Sequence, residues 1–549
     1  MEEKKTYHGV LDIVPALKKF KQVDTLGDYF MTQTASLTEV HPTLETKLLK
    51  DTICGEIARL YGEEKGEQAR RQLTEFPVVE TGTHLSFIKD YDNAMGEELR
   101  TNLEHNRLSS PILLAHAGHG LHIGVHGSDA SLKGGCSGAY FQLGKMLFPI
   151  TSVRTLEDYV LYDANQIKKG FFSPAHKLTA KLDLLYTFFR EEKKRKESEG
   201  TGTQEIDVWC KKLAYILGEG GLLDPEKVQK RYESSTSKGL IEQAFDEVSE
   251  SVKKKMGITF SDIDAQYEAL DSIFKNTENL PDAVAKSETH DTNILLEGTG
   301  VEHVAIDACE VGRKFMIAAL KDKDSLWYRV FSNPELFATF QKQFAGVRSG
   351  WKEHEAPFKA VRKNKDKGFC KITSCLMEGF DPSPESVVQR LENKELIPSS
   401  AMMMLIFQSA GVLAHGGYFQ SGFAQDIKDR FIPFLKAQKE DRMLQNVQKL
   451  EVSTLLLSLV CFTDDRGHPL KLSQLGQQTP EDRKKLLQTI PKMSAFKCVL
   501  RGLPSLYKYL KKKAPRLLEA VEGKGEQATS LGRWQGIVQT MPVVLQRQK

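Results

Sequence analysis

No stretch of this 549-residue chain is apolar for long enough to cross a bilayer. The nearest, AMMMLIFQSAGVLAHGG, falls short of the roughly 20 residues required and is interrupted by Gln408 and Ser409. The amino terminus, MEEKKTYHGVLDIV, has no apolar segment of signal-peptide length. Charge of one sign is not in excess: 76 Lys and Arg stand against 73 Asp and Glu, a net charge of +3, so no global field favours nucleic acid or an anionic membrane. The eight cysteines are scattered and include no CxxC pair, which argues against a disulfide framework and for reduced thiols. Together these absences predict a soluble, cytoplasmic protein. Internal repeats, low-complexity tracts, GxGxxG and GxxxxGK[ST] are also absent, so no sequence signature of a phosphate-binding loop is present.

What the chain does have is length and pattern. At about 150 residues per domain it holds two to four units. Residues 1–75 read as a helical entry segment, with Leu48, Leu49, Ile53, Ile57, Leu60 and Tyr61 at helical spacing. Residues 76–178 read as the first part of an α/β core. PVVETG is a short buried strand, PILLAHAG a second strand and LHIGVHG a third, with glycines 118 and 120 reversing the chain between the last two. Residues 179–289 form a mainly helical insertion that begins with a helix ending in a solvated charge run, REEKKRKESEG. Residues 290–435 return to the core, with β character in the two short apolar stretches that flank the Gly-Thr-Gly turn of TNILLEGTGVEHVAIDACEV, and residues 436–549 are helical again. The fold class predicted is α/β, a Rossmann-like core with a helical insertion and a helical carboxyl-terminal region.

The strongest chemical signal is histidine. His84, His105, His116, His119, His122 and His126 are six of the chain's 14 histidines in 43 positions, where even spreading would place about one. On an alternating strand His122 and His126 share a face, and a strand-turn-strand hairpin would bring His116 opposite them; three neutral imidazoles suit a divalent metal. HxxHxxHxxxH matches no established zinc signature, and a carboxylate ligand such as Asp129 would have to be added. The plain alternative is a glycine-rich turn with exposed or backbone-bonded histidines.

Other stretches carry weaker signals. Thr81, Gly82 and Thr83, followed by His84, can offer backbone N–H groups and hydroxyls to an anion, although many strand-to-helix turns look alike for packing alone. Lys359, Arg362, Lys363, Lys365, Lys367 and Lys371 place six positive charges in 13 residues; they can hold a phosphate or carboxylate, while a solvated face is the commoner use of such a run. Too few aromatics interleave them for nucleic acid. His415, Gly416, Gly417, Tyr418 and Gln420 follow an apolar run, where paired glycines let backbone approach a ligand or simply make a tight turn. Cys136, within GGCSG, is an accessible thiol without an identified base.

Three of these segments, VVETGTH at 78 to 84, PILLAHAGHGLH at 111 to 122 and IPSSAMMMLIFQSAGVLAHGGYFQ at 397 to 420, resemble the bacillithiol-biosynthesis cysteine-adding enzymes. That family has a strand ending in a Thr-Gly turn, a Pro-led strand and a late Gly-Gly turn. The resemblance covers about a tenth of the chain and departs from the family at its GQQ and Glu-Asp-His-Asp motifs. It implies a Rossmann-like core with helical additions.

The expectation is therefore a ligase or group transferase acting on a small polar or anionic metabolite. His84 and His116 are its acid/base candidates, the Thr81 and Gly416 turns and Lys359, Arg362 and Lys363 line its substrate site, and a nucleotide or a divalent metal is its cofactor. A metal-dependent hydrolase or oxygenase using His116, His122 and His126 is one alternative. A non-enzymatic binding or scaffold protein is the other.

Overall fold

A computed structural model describes residues 23–81, 108–126, 174–218, 225–236, 260–278, 280–345, 357–364, 380–416, 418–452 and 478–495, with short strands at 87–89, 139–143, 146–149, 347–349, 352–354 and 369–373 and a few isolated positions. The chain is mostly helical around a small parallel sheet, an α/β arrangement. Its four strands are β1 (Val78–Glu80), β2 (Leu121–His126), β3 (Glu302–Asp307) and β4 (Leu413–His415). In space they run β4-β1-β2-β3, all parallel.

Each strand directly follows a helix. The helix Leu44–Tyr61 (α1) begins at a Thr43 capping box and is followed by Glu63–Glu75 (α2), which leads into β1. A helix at 108–116 (α3) leads into β2, Leu280–Leu296 (α4) into β3 and Ser400–Ser409 (α6) into β4; Ala308–Lys321 (α5) follows β3.

Two stretches expected as strands are thus helices. PILLAHAG lies in α3, and TNILL is the last turn of α4. A short apolar run before a glycine reads equally as a buried strand or a buried helix end, because periodicity cannot separate them over so few residues. The backbone shows what the glycine does instead of making a hairpin. Gly118 has φ +90, and the N–H groups of Gly118 and His119 donate to the carbonyls of Ala115 and Leu114, closing α3 in a Schellman motif. Gly411, at φ +68, closes α6 in the same way.

Register determines the chemistry of the two sheet faces. Glu80 lies beside both His415 and Gly124, His122 beside His303, and His126 beside Asp307. Because strand side chains alternate, Val79, Ile123, Val125, Val304, Ile306 and Ala414 share one face and join the main hydrophobic core with Leu49, Ile53 and Ile57 of α1 and Val311 and Phe315 of α5. The other face carries Glu80, His122, Gly124, His126, His303, Ala305, Asp307 and His415. It is buried as well.

Among the described residues β3 is an edge strand, and its backbone is covered by side chains. Asn293 of α4 accepts from the His303 N–H at 2.8 Å and donates to its carbonyl at 2.9 Å, and the Thr289 hydroxyl accepts from the Ala305 N–H at 2.8 Å. Four residues of helix advance about 6 Å and two of strand about 6.6 Å, so positions 289 and 293 match 305 and 303. The Tyr61 hydroxyl donates to the Ala305 carbonyl, and Arg59 grips Asp282 through two contacts of 2.6 and 2.8 Å, which ties α4 to α1. Edge pairing is thereby satisfied within the chain.

The helices Pro174–Ser198, Gln204–Leu217 and Pro225–Ser234 share a second small core, with Leu182, Phe189, Leu213, Ile216 and Val228 at its centre. The start of the basic segment is a strand, Phe358–Asn364, pairing antiparallel with Phe369–Thr373 and Leu396–Pro398 in a separate sheet. No helix among the described residues is long and apolar enough to cross a membrane.

Candidate functional site

The inward polar face of the sheet is the candidate site, and it begins with Gly124. A Cβ at this position would lie 2.6 Å from Nε2 of His126 and 2.8 Å from Cε1 of His303, so the missing side chain is what lets both rings fold over the backbone of β2. Ala305, its neighbour in β3, keeps the row small.

Around this gap the polar groups form a chain. The Glu80 carboxylate lies 3.3 Å from Nε2 of His122. Nδ1 of His122 faces Nδ1 of His303 at 2.8 Å, a distance at which one nitrogen must donate and the other accept. Nε2 of His303 lies 3.8 Å from Oε1 of Glu288, which stands 2.6 Å from Nδ1 of His126. His415 is offset, its ring centroid 6.1 Å from that of His122 and its Nδ1 3.4 Å from the Ser110 hydroxyl of α3. Glu80, His122, His303, His415 and Glu288 are each at most 3% exposed.

Burial is the first cause of the site's electrostatics. It holds His122 well below the ordinary imidazole pKa, with His303, His415 and His126 adding to the effect and Glu288 opposing it. His415 is pushed down to about 3, by burial and then by His126. Both are neutral imidazoles at pH 7, able to accept on one nitrogen and donate on the other. Asp307 shares the face but also caps α5, accepting from the Glu310 N–H at 2.9 Å.

The residues singled out from the sequence are divided by this arrangement. His122, His126 and His415 lie on the buried face. His116 does not join them: it is exposed on α3, against Gly27, because the Gly118 turn ends a helix rather than reversing a strand. His119 stacks on Phe76 at 4.4 Å, outside the cluster. Thr81 donates its N–H to the His415 carbonyl at 2.7 Å, which ties the ends of β1 and β4 together. Gly82, Thr83, His84, His105, Asp129, Cys136 and Gly417 lie outside the described residues, as do the side chains of Arg362, Lys363, Tyr418 and Gln420. Lys359 is buried in the separate antiparallel sheet.

Glu80, Glu288, His303 and Ser110 were missed by sequence reasoning. One signal for His303 was present: HIGVH in β2 and HVAID in β3 share a pattern of polar, apolar, small, apolar, polar. Among the described residues no three or more His, Cys, Asp or Glu side chains converge as a bound metal requires. No protein-family model, curated protein or solved structure matches the chain at a significant level.

Proposed function

We propose that the protein is an enzyme, a ligase or group transferase, that uses the buried imidazole and carboxylate face of its parallel sheet for acid–base chemistry on a small polar or anionic metabolite. The observation that carries this reading is the continuous contact of Glu80, His122, His303, Glu288 and His126 in a buried setting. Burying that many ionisable groups is costly, and a scaffold needing only stability would do better with apolar side chains there.

Strand order supports a Rossmann-like reading of the core. Read from the other edge it is β3-β2-β1-β4, the order of the first four strands of doubly wound dinucleotide-binding sheets. In such sheets the ligand lies beyond the carboxyl ends of the strands where the order reverses, here between β1 and β4. Glu80 and His415 are the last residues of those two strands and Thr81 bridges them. The three segments that carry the resemblance to the cysteine-adding enzymes contribute β1, α3 with the start of β2, and α6 with β4, which are neighbours in this sheet or lead directly into it.

A metal-dependent hydrolase or oxygenase is the competing reading, favoured by the donor chemistry of imidazoles beside carboxylates. Less than about a tenth of an equivalent of metal in the purified protein removes it. The main reading is tested by thermal shift with a panel of nucleotides and small carboxylate and phosphate metabolites. A ligand at about 100 times its Kd stabilises by about 2.7 kcal/mol. The response is expected in the wild type and lost in Glu80→Ala; a panel without any response argues against a metabolite pocket.

A further inference from the structure

We infer that Glu80, His122, His303 and Glu288 form one buried proton path, with Glu80 as the end that exchanges a proton with substrate and Glu288 with His126 as the end that resupplies it. The inference rests on the proposed enzymatic reading and assigns each member of the cluster a role in it.

The geometry restricts the protons closely. The 2.8 Å contact between the Nδ1 atoms of His122 and His303 holds a single proton. When that proton is on His303, His122 is protonated at Nε2, which faces the Glu80 carboxylate at 3.3 Å, while Nε2 of His303 carries its lone pair 3.8 Å from Glu288. A second arrangement follows if a proton enters at the Glu288 end. Nε2 of His303 gains it, Nδ1 of His303 passes its own to Nδ1 of His122, and Nε2 of His122 gives its proton to Glu80. One proton has entered and one rests on Glu80. Each imidazole has exchanged one N–H for another, and the donor at the far end has lost one proton.

Neither imidazole becomes a cation in either resting arrangement. This matters because burial disfavours the charged ring, and a path that needed a stable imidazolium would be blocked at His122. The 3.8 Å separation of His303 and Glu288 is the longest in the path, beyond hydrogen-bond length. Glu80 is the substrate end because it terminates β1 beside Thr81 and His415, whereas His122 and His303 lie one row further back along the strands. His303 and Glu288 act through the others and are positioning residues. Their seat depends on α4, whose Asn293 and Thr289 hold the backbone of His303 and Ala305.

The test is long-range proton–nitrogen NMR of the full-length chain labelled with [15N]histidine, the signals assigned through single His→Gln variants. At pH 7 the wild type is expected to show His303 protonated at Nδ1 and His122 at Nε2. In Glu80→Leu the acceptor for His122 is gone, so His303 is expected to change to the Nε2 tautomer although it does not touch residue 80. A purely structural cluster would leave His303 unchanged, and that result overturns the path. If E80L does not fold, the wild-type spectrum decides: the same tautomer at both residues, an imidazolium at either, or nitrogen shifts of a bound metal would each overturn it. The measurement needs no substrate, so its failure is separable from failure of the enzymatic reading, which ligand stabilisation tests.

Discussion

The two faces of the four-stranded sheet are built from alternate residues of the same strands and are equally hidden from water, yet they obey different rules. On one, Val79, Ile123, Val125, Val304 and Ile306 fill a core that also takes in α1 and α5. On the other, Glu80, four histidines and Glu288 occupy space that aliphatic side chains could fill at lower desolvation cost. Burial alone therefore does not define a core. A one-residue change of register would exchange the faces, so the apolar alternation of HIGVH and HVAID also places the histidines.

The difference can be broken from either side. Ile123→Ala, on the apolar face, should cost about 3 kcal/mol through the lost transfer energy and the cavity left behind. Urea denaturation should show this drop while the tautomers of His122 and His303 stay as in the wild type. Gly124→Ala, on the neighbouring residue of the same strand, adds one carbon yet should cost about 2 kcal/mol, because His126 and His303 must move away from it. Here the tautomers should change, and a G124A protein with wild-type stability and spectrum would show that the rings do not need the gap.

A pH-dependent effect sharpens the comparison. Acid should destabilise the polar face specifically. His415 has a folded pKa of about 3 against 6.5 for free imidazole, so below about pH 6.5 the unfolded chain takes up a proton that the folded chain refuses. Stability should then fall with decreasing pH by about 1.4 kcal/mol per unit for this residue until about pH 3, and be insensitive to it above 6.5. His415→Phe should flatten that slope in a series of denaturation curves between pH 7 and 5; an unchanged slope would mean the histidine is not buried neutral.

Much of the core was legible before its coordinates. PVVETG and LHIGVHG are strands because apolar residues alternate or cluster there, and the entry and insertion helices announce themselves by periodicity over ten or more residues. His122, His126 and His415 could be singled out because their type and neighbours are local facts. The failures share one cause. PILLAHAG and TNILL are short apolar runs before glycines, and only the hydrogen bonds of the following turn distinguish a helix end from a strand. That misreading carried His116 into a hairpin that does not exist.

By itself the sequence determined which residues alternate, where glycine permits a left-handed backbone and that histidines crowd one stretch, since these follow from local sterics and side-chain chemistry. Tertiary structure decided which of those histidines share a face with one another. Parallel pairing of β2 with β3 aligned His122 with His303 across 181 positions, β4 closed against β1 to add His415 beside Glu80, and α4 brought Glu288 in from a helix. None of these contacts is encoded by spacing along the chain, because each depends on the register of strands that meet only after folding.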